Sequence, residues 1–241
     1  MGSVSARAQP LETVRVLGYI FPPFVNVDAR SGLTFELIKE LNRRQDQFHF
    51  VFQLTSPNRR YMMFQRQSAD LMLYEMPKWD WLERGIPVSS TTVLHHDAEV
   101  YIAQRQPGRD QRYFDRILDK QIAIFQGYHY SFADYNADSY WLKQHFDVLI
   151  TDKYPQLIEL VRRGRADIGV ITKGYLYQQF AQFPALAKEL LVSDRYDQSY
   201  QLRALVADSS PVTLEHVNGL LDQIRSDGTY AKILREQGVS E

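Results

Sequence analysis

The sequence predicts an α/β protein of two lobes with one plan, joined by two crossing segments. Three observations carry this. Apolar alternation and helical spacing give the order β-α-β-α-β between Val14 and Tyr74. The same order recurs between Gln121 and Ile171, and with it a local signature. Arg66-Gln67-Ser68-Ala69-Asp70 before an apolar run matches Arg163-Gly164-Arg165-Ala166-Asp167 before Ile168. Two long extended stretches, 91–103 and 190–206, then read as crossings between the halves.

Taken in order, Val14-Arg15-Val16-Leu17-Gly18 alternates as a strand and runs into Tyr19-Ile20-Phe21-Pro22-Pro23-Phe24. Proline lacks the N–H donor and fixes φ, so the strand must stop there and present Tyr19, Phe21 and Phe24 at its C-terminal edge. In open α/β sheets that edge is where ligands bind. Leu33 to Arg44 has Phe35, Leu37, Ile38 and Leu41 at helical spacing, and Phe48 to Leu54 is a strand. Ser56-Pro57 opens a helix with serine as N-cap and proline at the first position, running to about Arg66. Asp70 to Tyr74 is the third strand.

The second half opens with the strand Gln121 to Phe125, a glycine turn at Gly127 and a helix to about Gln144. Phe146 to Ile150 is a strand, Pro155 to Arg163 a helix, and Asp167 to Ile171 a strand. After the return crossing, Val212 to about Gln237 is helical and broken at Gly228. The lobes are expected at residues 10–97 plus 204–241 and at 98–203.

The 241 residues suffice for two lobes, and 44% hydrophobic with 24% charged residues is an ordinary globular balance. A net charge of −1 gives no basic excess for nucleic acid. No cysteine is present, which removes disulfides and thiolate metal sites. Ala6 and Ala8 stand at the −3 and −1 positions of a signal-peptidase site, so secretion with cleavage near Ala8 is expected. No run reaches the roughly 20 apolar residues of a spanning helix. His95-His96 with Asp97 or Glu99 lacks a spaced third ligand, so no metal or other cofactor is expected.

Several residues are candidates for the space between lobes. The Gly127 turn leads into a predicted helix start, where free N–H groups suit an anion, with Tyr128 and His129 beside it. Tyr74 and Glu75 leave the third strand at its C-terminal edge, for a flat or cationic group, or else pack or solvate locally. Trp79 and Trp81 read as packing beneath a loop. Arg59 is preferred over Arg60 as the guanidinium for an acidic ligand group.

From Val14 to Gly238 the chain resembles the type II periplasmic solute-binding proteins, in the family 3 branch that serves amino-acid ABC importers. The residues carrying this are Tyr19 to Phe24, Gly32-Leu33-Thr34-Phe35-Glu36-Leu37, Gln121 to Gly127, Gly164 to Val170 and Ile224 to Leu234. The resemblance implies two Rossmann-like lobes on a two-segment hinge, a periplasmic binding protein-like II fold. It also implies hinge closure on a small solute, an ABC permease as partner, a monomer, and no chemistry on the ligand. It places Phe21 where the family has a stacking aromatic, and Thr172 where the family has an amino-binding aspartate. After Leu73 the serines and arginine that grip an α-amino acid are missing, so a different solute is expected, amino-acid-like, polyamine or organic acid in class. An extracellular sensor and a dehydratase-like enzyme on the same fold are the alternatives.

Overall fold

The computed structural model describes residues 11–239, so the expected cleavage site near Ala8 lies outside the described residues. The first strand, β1 (Glu12–Gly18), is followed by helix α1 (Leu33–Arg43), β2 (Phe48–Leu54), α2 (Arg60–Gln65) and β3 (Leu71–Glu75). β1 pairs in parallel with β2 on one side and β3 on the other. Further along the chain come β4 (Val88–Ser90) and β5 (His95–Gln104), then β6 (Ile122–Phe125), α3 (Ser139–His145), β7 (Val148–Thr151), α4 (Tyr154–Arg162) and β8 (Ile168–Thr172). β6 likewise pairs in parallel with β7 and β8. The repeat read from the sequence is thus a repeat of topology.

The repeated Ala-Asp signature has a physical task. Asp70 accepts the Arg15 N–H at 2.7 Å, while its own N–H donates to the Arg15 carbonyl. Asp167 treats Gln121 the same way, at 3.0 Å. Each aspartate fixes the register between two parallel strands, because its carboxylate captures one N–H of the neighbour, within β1 at Arg15 and just before β6 at Gln121.

After α5 (Lys173–Gln182) and α6 (Leu186–Glu189), an 18-residue strand β9 (Leu190–Ala207) returns. It pairs antiparallel with β5 along most of that strand, and then with β3 and β4. Among the described residues the strands form one path, β2-β1-β3-β9-β5-β8-β6-β7, with β4 beside β9. The two halves are therefore joined by β5 and β9, giving the two-lobe periplasmic binding protein fold. Helices α7 (Leu214–Ser226) and α8 (Thr229–Glu236) pack on the first lobe against α1, burying Val217, Leu221, Ile224, Ile233 and Leu234. None of the described helices is long and apolar enough to cross a membrane.

The double-proline corner after β1 also caps a helix. The carbonyls of Pro23 and Phe24 accept the N–H groups of Leu33 and Thr34, two donors that α1 cannot satisfy internally. Gly32 makes this approach possible: its φ is 114°, and a Cβ there would lie 2.7 Å from the Phe24 carbonyl oxygen.

Two expected helices differ. α2 starts at Arg60 rather than at Pro57, because the Ser56 carbonyl closes a turn onto the N–H groups of Arg59 and Arg60, and no side chain caps the helix. The long helix expected after Gly127 is a single 3-10 turn, Ser131–Ala133, separated from α3 by residues 134–138. Asp134 and Tyr135 take positive φ and interrupt the path, and Asp138 starts α3 afresh by accepting the Trp141 N–H. α5 follows β8 without a loop and was not visible in the sequence pattern; its apolar residues do not form one clean stripe.

Candidate ligand cleft

The hinge strands make the floor between the lobes. In register, Asp97 stands opposite Tyr200 and Glu99 opposite Gln198. Alternation along both strands puts these four on one face. The first lobe contributes Tyr19, Phe21, Arg60, Glu75 and the Trp79-Asp80 loop. The second contributes Gly127, Tyr128, His129 and Tyr154.

The walls meet. The Tyr128 hydroxyl donates to the Ile20 carbonyl at 2.7 Å, and its ring lies edge-on to Phe21 at 5.5 Å. Trp79 stacks on His129, with centroids 6.1 Å apart and planes within 14°. The Trp79 indole N–H donates to Gln198 Oε1 at 3.2 Å, and Gln198 Nε2 donates to the His129 carbonyl. His129 Nε2 lies 3.3 Å from the Tyr61 hydroxyl and 3.6 Å from Asp80 Oδ2. Burial holds the imidazole below its ordinary pKa, whereas the His129 contact holds the Asp80 carboxyl down at about 2. A hydrogen bond from Lys78 to the Tyr135 hydroxyl at 3.0 Å joins the rim. At Gly127, where φ is 76°, a Cβ would lie 2.9 Å from Asn58 and 3.0 Å from Pro57 across the gap.

Tyr19, Phe21, Tyr128 and His129 are all buried in this seam. Phe24 and Tyr74 lie deeper in the first lobe: their rings pack at 4.6 Å with planes tilted by 30°, both lie near His95, and the Tyr74 hydroxyl accepts from Tyr230. Thr172 is buried and shares a 2.6 Å hydrogen bond with the Tyr154 hydroxyl. Arg59 is exposed, and its neighbour Arg60 is the guanidinium that turns inward. Arg60 lies over Tyr61 and Tyr19, at 4.3 and 5.0 Å from the ring centroids, and donates to the Pro57 carbonyl. Its Nε is 3.2 Å from Glu75 Oε2, close enough to pair but misaligned for a hydrogen bond. Burial raises the Glu75 pKa against the pull of Arg60. This cation is already neutralised within its own lobe.

Two of the donors expected for an anion after Gly127 are already taken. The N–H groups of Ser131 and Phe132 donate to the Asp197 carboxylate, at 2.7 and 3.1 Å. An internal acid occupies the donors an external anion would need.

Outside the seam the lobes leave a groove of about 590 Å³, edged by Tyr61, Asp80 and Arg84 on one side and by Gln126, Asp134 and Tyr140 on the other. Sequence reasoning missed the seam's central members, Trp79, Gln198, Tyr200 and Glu99. A legible signal exists for Glu99, a charged residue between Ala98 and Val100 in a run that continues Tyr101-Ile102-Ala103; Gln198 lies between Asp197 and Ser199 and carries none. No group of three or more His, Asp or Glu suited to a metal occurs among the described residues.

No family model and no curated protein matches the chain. Solved structures do. A mutant of ArgBP from T. maritima is 20% identical, with 93% of this chain and 94% of that one covered at a TM-score of 0.70. A histidine kinase sensor domain with similarity to periplasmic binding proteins is 16% identical, with 96% and 98% covered at 0.71. The GluR0 ligand-binding core from Nostoc punctiforme, in complex with L-glutamate, is 15% identical, with 93% and 98% covered at 0.70. At such identities the likeness carries the fold alone.

Proposed function

We propose that this chain is a periplasmic solute-binding protein that captures a small polar solute between its lobes and delivers it to an ABC permease. The observation carrying this is the nature of the seam. Its lobes touch through a short set of side-chain contacts: hydrogen bonds and close polar approaches from Tyr128 to Ile20, His129 to Tyr61 and Asp80, and Lys78 to Tyr135, and ring contacts of Tyr128 with Tyr19 and Phe21 and of Trp79 with His129. Each contributes on the order of 1 kcal/mol or less, so the seam can open without unfolding either lobe. Residues 10–97 with 204–241 move against residues 98–203, with β5 and β9 as the hinge, and a solute that bridges the walls favours the closed state. No chemistry on the solute is part of this reading. A standard α-amino acid is not the preferred solute, since Thr172 is tied to Tyr154 and Arg60 to Glu75.

The test is a thermal-shift and calorimetric screen against amino acids, polyamines, dipeptides and organic acids, followed by NMR of the mixtures. Saturable binding without product is expected. A product appearing in the spectra contradicts the capture reading.

A further inference from the structure

The floor of the cleft contains a carboxyl group with nothing to neutralise it. Glu99 is 1% exposed. Its Oε2 accepts from Gln198 at 3.0 Å, whereas Oε1 is buried with no partner in hydrogen-bond geometry, the neutral Tyr200 hydroxyl being close enough only to favour the ionised form weakly. None of the ion pairs among the described residues includes it, and the charged groups acting on it most strongly are two further acids, Asp197 and Asp97. Its charge would be felt by five buried tyrosines, Tyr19 and Tyr128 from the walls and Tyr130, Tyr154 and Tyr200 around the floor. An isolated carboxylate in such a place costs several kcal/mol, and burial accordingly pushes this group well above the usual carboxylate range.

The Gln198 amide beside Glu99 is held from both lobes. Gln198 holds Oε2, and the same amide is gripped by the Trp79 indole from the first lobe and by the His129 carbonyl from the second. When the lobes part, the indole withdraws, and an acid floored among aromatic rings faces the opening.

We propose that Glu99 is the counter-ion for the solute, and that the solute is a small organic cation whose ammonium or guanidinium group takes the place of the Trp79 indole above it. A buried acid and aromatic faces are complementary to such a group, the acid through charge and the rings through their quadrupoles. This rests on the capture reading and names its solute class.

The test uses the full chain and three cations, agmatine, putrescine and tyramine, with succinate and benzoate as anions and glycerol as a neutral control. Thermal shift and tryptophan fluorescence are read for the wild type, Glu99→Gln and Glu99→Asp. The expected result is that at least one cation stabilises the wild type and changes its fluorescence. Glu99→Gln, folded with an unchanged or higher Tm, binds that cation at least tenfold more weakly, and Glu99→Asp is intermediate. Equal cation binding by wild type and Glu99→Gln overturns the inference, as does response to anions alone or to none of the cations. The capture reading fails separately, if the interlobe distance is single and fixed whatever is added.

Discussion

Arg60→Met tests whether the inward guanidinium is a structural ion pair or a ligand group. Both partners are essentially inaccessible, so solvent does not screen the loss. Removing the cation leaves Glu75 alone in the core, a change that in buried pairs costs about 3–5 kcal/mol. Protonation of Glu75 limits the charge part of this: from its ordinary 4.5 to pH 7, at about 1.4 kcal/mol per pH unit, it cannot exceed about 3.5 kcal/mol. Lost contacts with Tyr19 and Tyr61 add about 1 kcal/mol. Together they set a ceiling of about 4.5 kcal/mol at pH 7. In the variant the folded state holds a proton that the unfolded state releases above 4.5, so stability falls as pH rises. The deficit should shrink to about 1–2 kcal/mol at pH 5. Urea unfolding at the two pH values measures it, and Arg60→Met with Glu75→Gln should recover most of the loss. A cost below about 1 kcal/mol at pH 7, or one independent of pH, refutes the ion-pair account.

Three further outcomes follow from the seam and the corner. Gly127→Ala puts a methyl against Asn58 and Pro57, so it should favour the open state and weaken solute binding at least fivefold, read by calorimetry. Gly32→Ala sets a Cβ against two backbone oxygens at a φ that alanine avoids, and should cost about 2–3 kcal/mol in denaturant unfolding. Asp80 has a depressed pKa, so its contribution is complete above 3.8 and is lost as pH falls towards 2. Discounted for its partial exposure, that contribution is about 1 kcal/mol, and Asp80→Asn should flatten the acid limb of the stability curve over that window.

What was legible in the chain was whatever is written in periodicity. The parallel trios β2-β1-β3 and β7-β6-β8 follow from alternating runs separated by helical spacing, and the Ala-Asp signature marks the same register contact in each. The crossings at β5 and β9 were legible because both are long extended runs. The stretch after Gly127 misled because Ser131 to Gln144 carries helix-compatible residues, while the decisive facts are Asp197 taking two of its N–H groups and two residues turning to positive φ. Those depend on a strand 65 residues away. Nothing local separates Arg59 from Arg60: neighbours at a helix start lie about 100° apart, and it is the packing of Arg60 on Tyr19, Tyr61 and Glu75 that marks it as the inward one. The local sequence around Trp79 indicates only packing beneath a loop; its partners, Gln198 and His129, come from the hinge and the other lobe, and no local pattern announces them.

The central claim is that the lobes open and that a solute closes them. The chain has no cysteine, so Leu82→Cys and Tyr140→Cys, exposed positions beside the two edges of the groove, can carry a single pair of spin labels. Pulsed electron resonance on the doubly labelled protein should give a broad or two-peaked distance distribution without solute, and collapse to its short component when the solute binds. A single distance, identical with and without a saturating ligand, would contradict the claim.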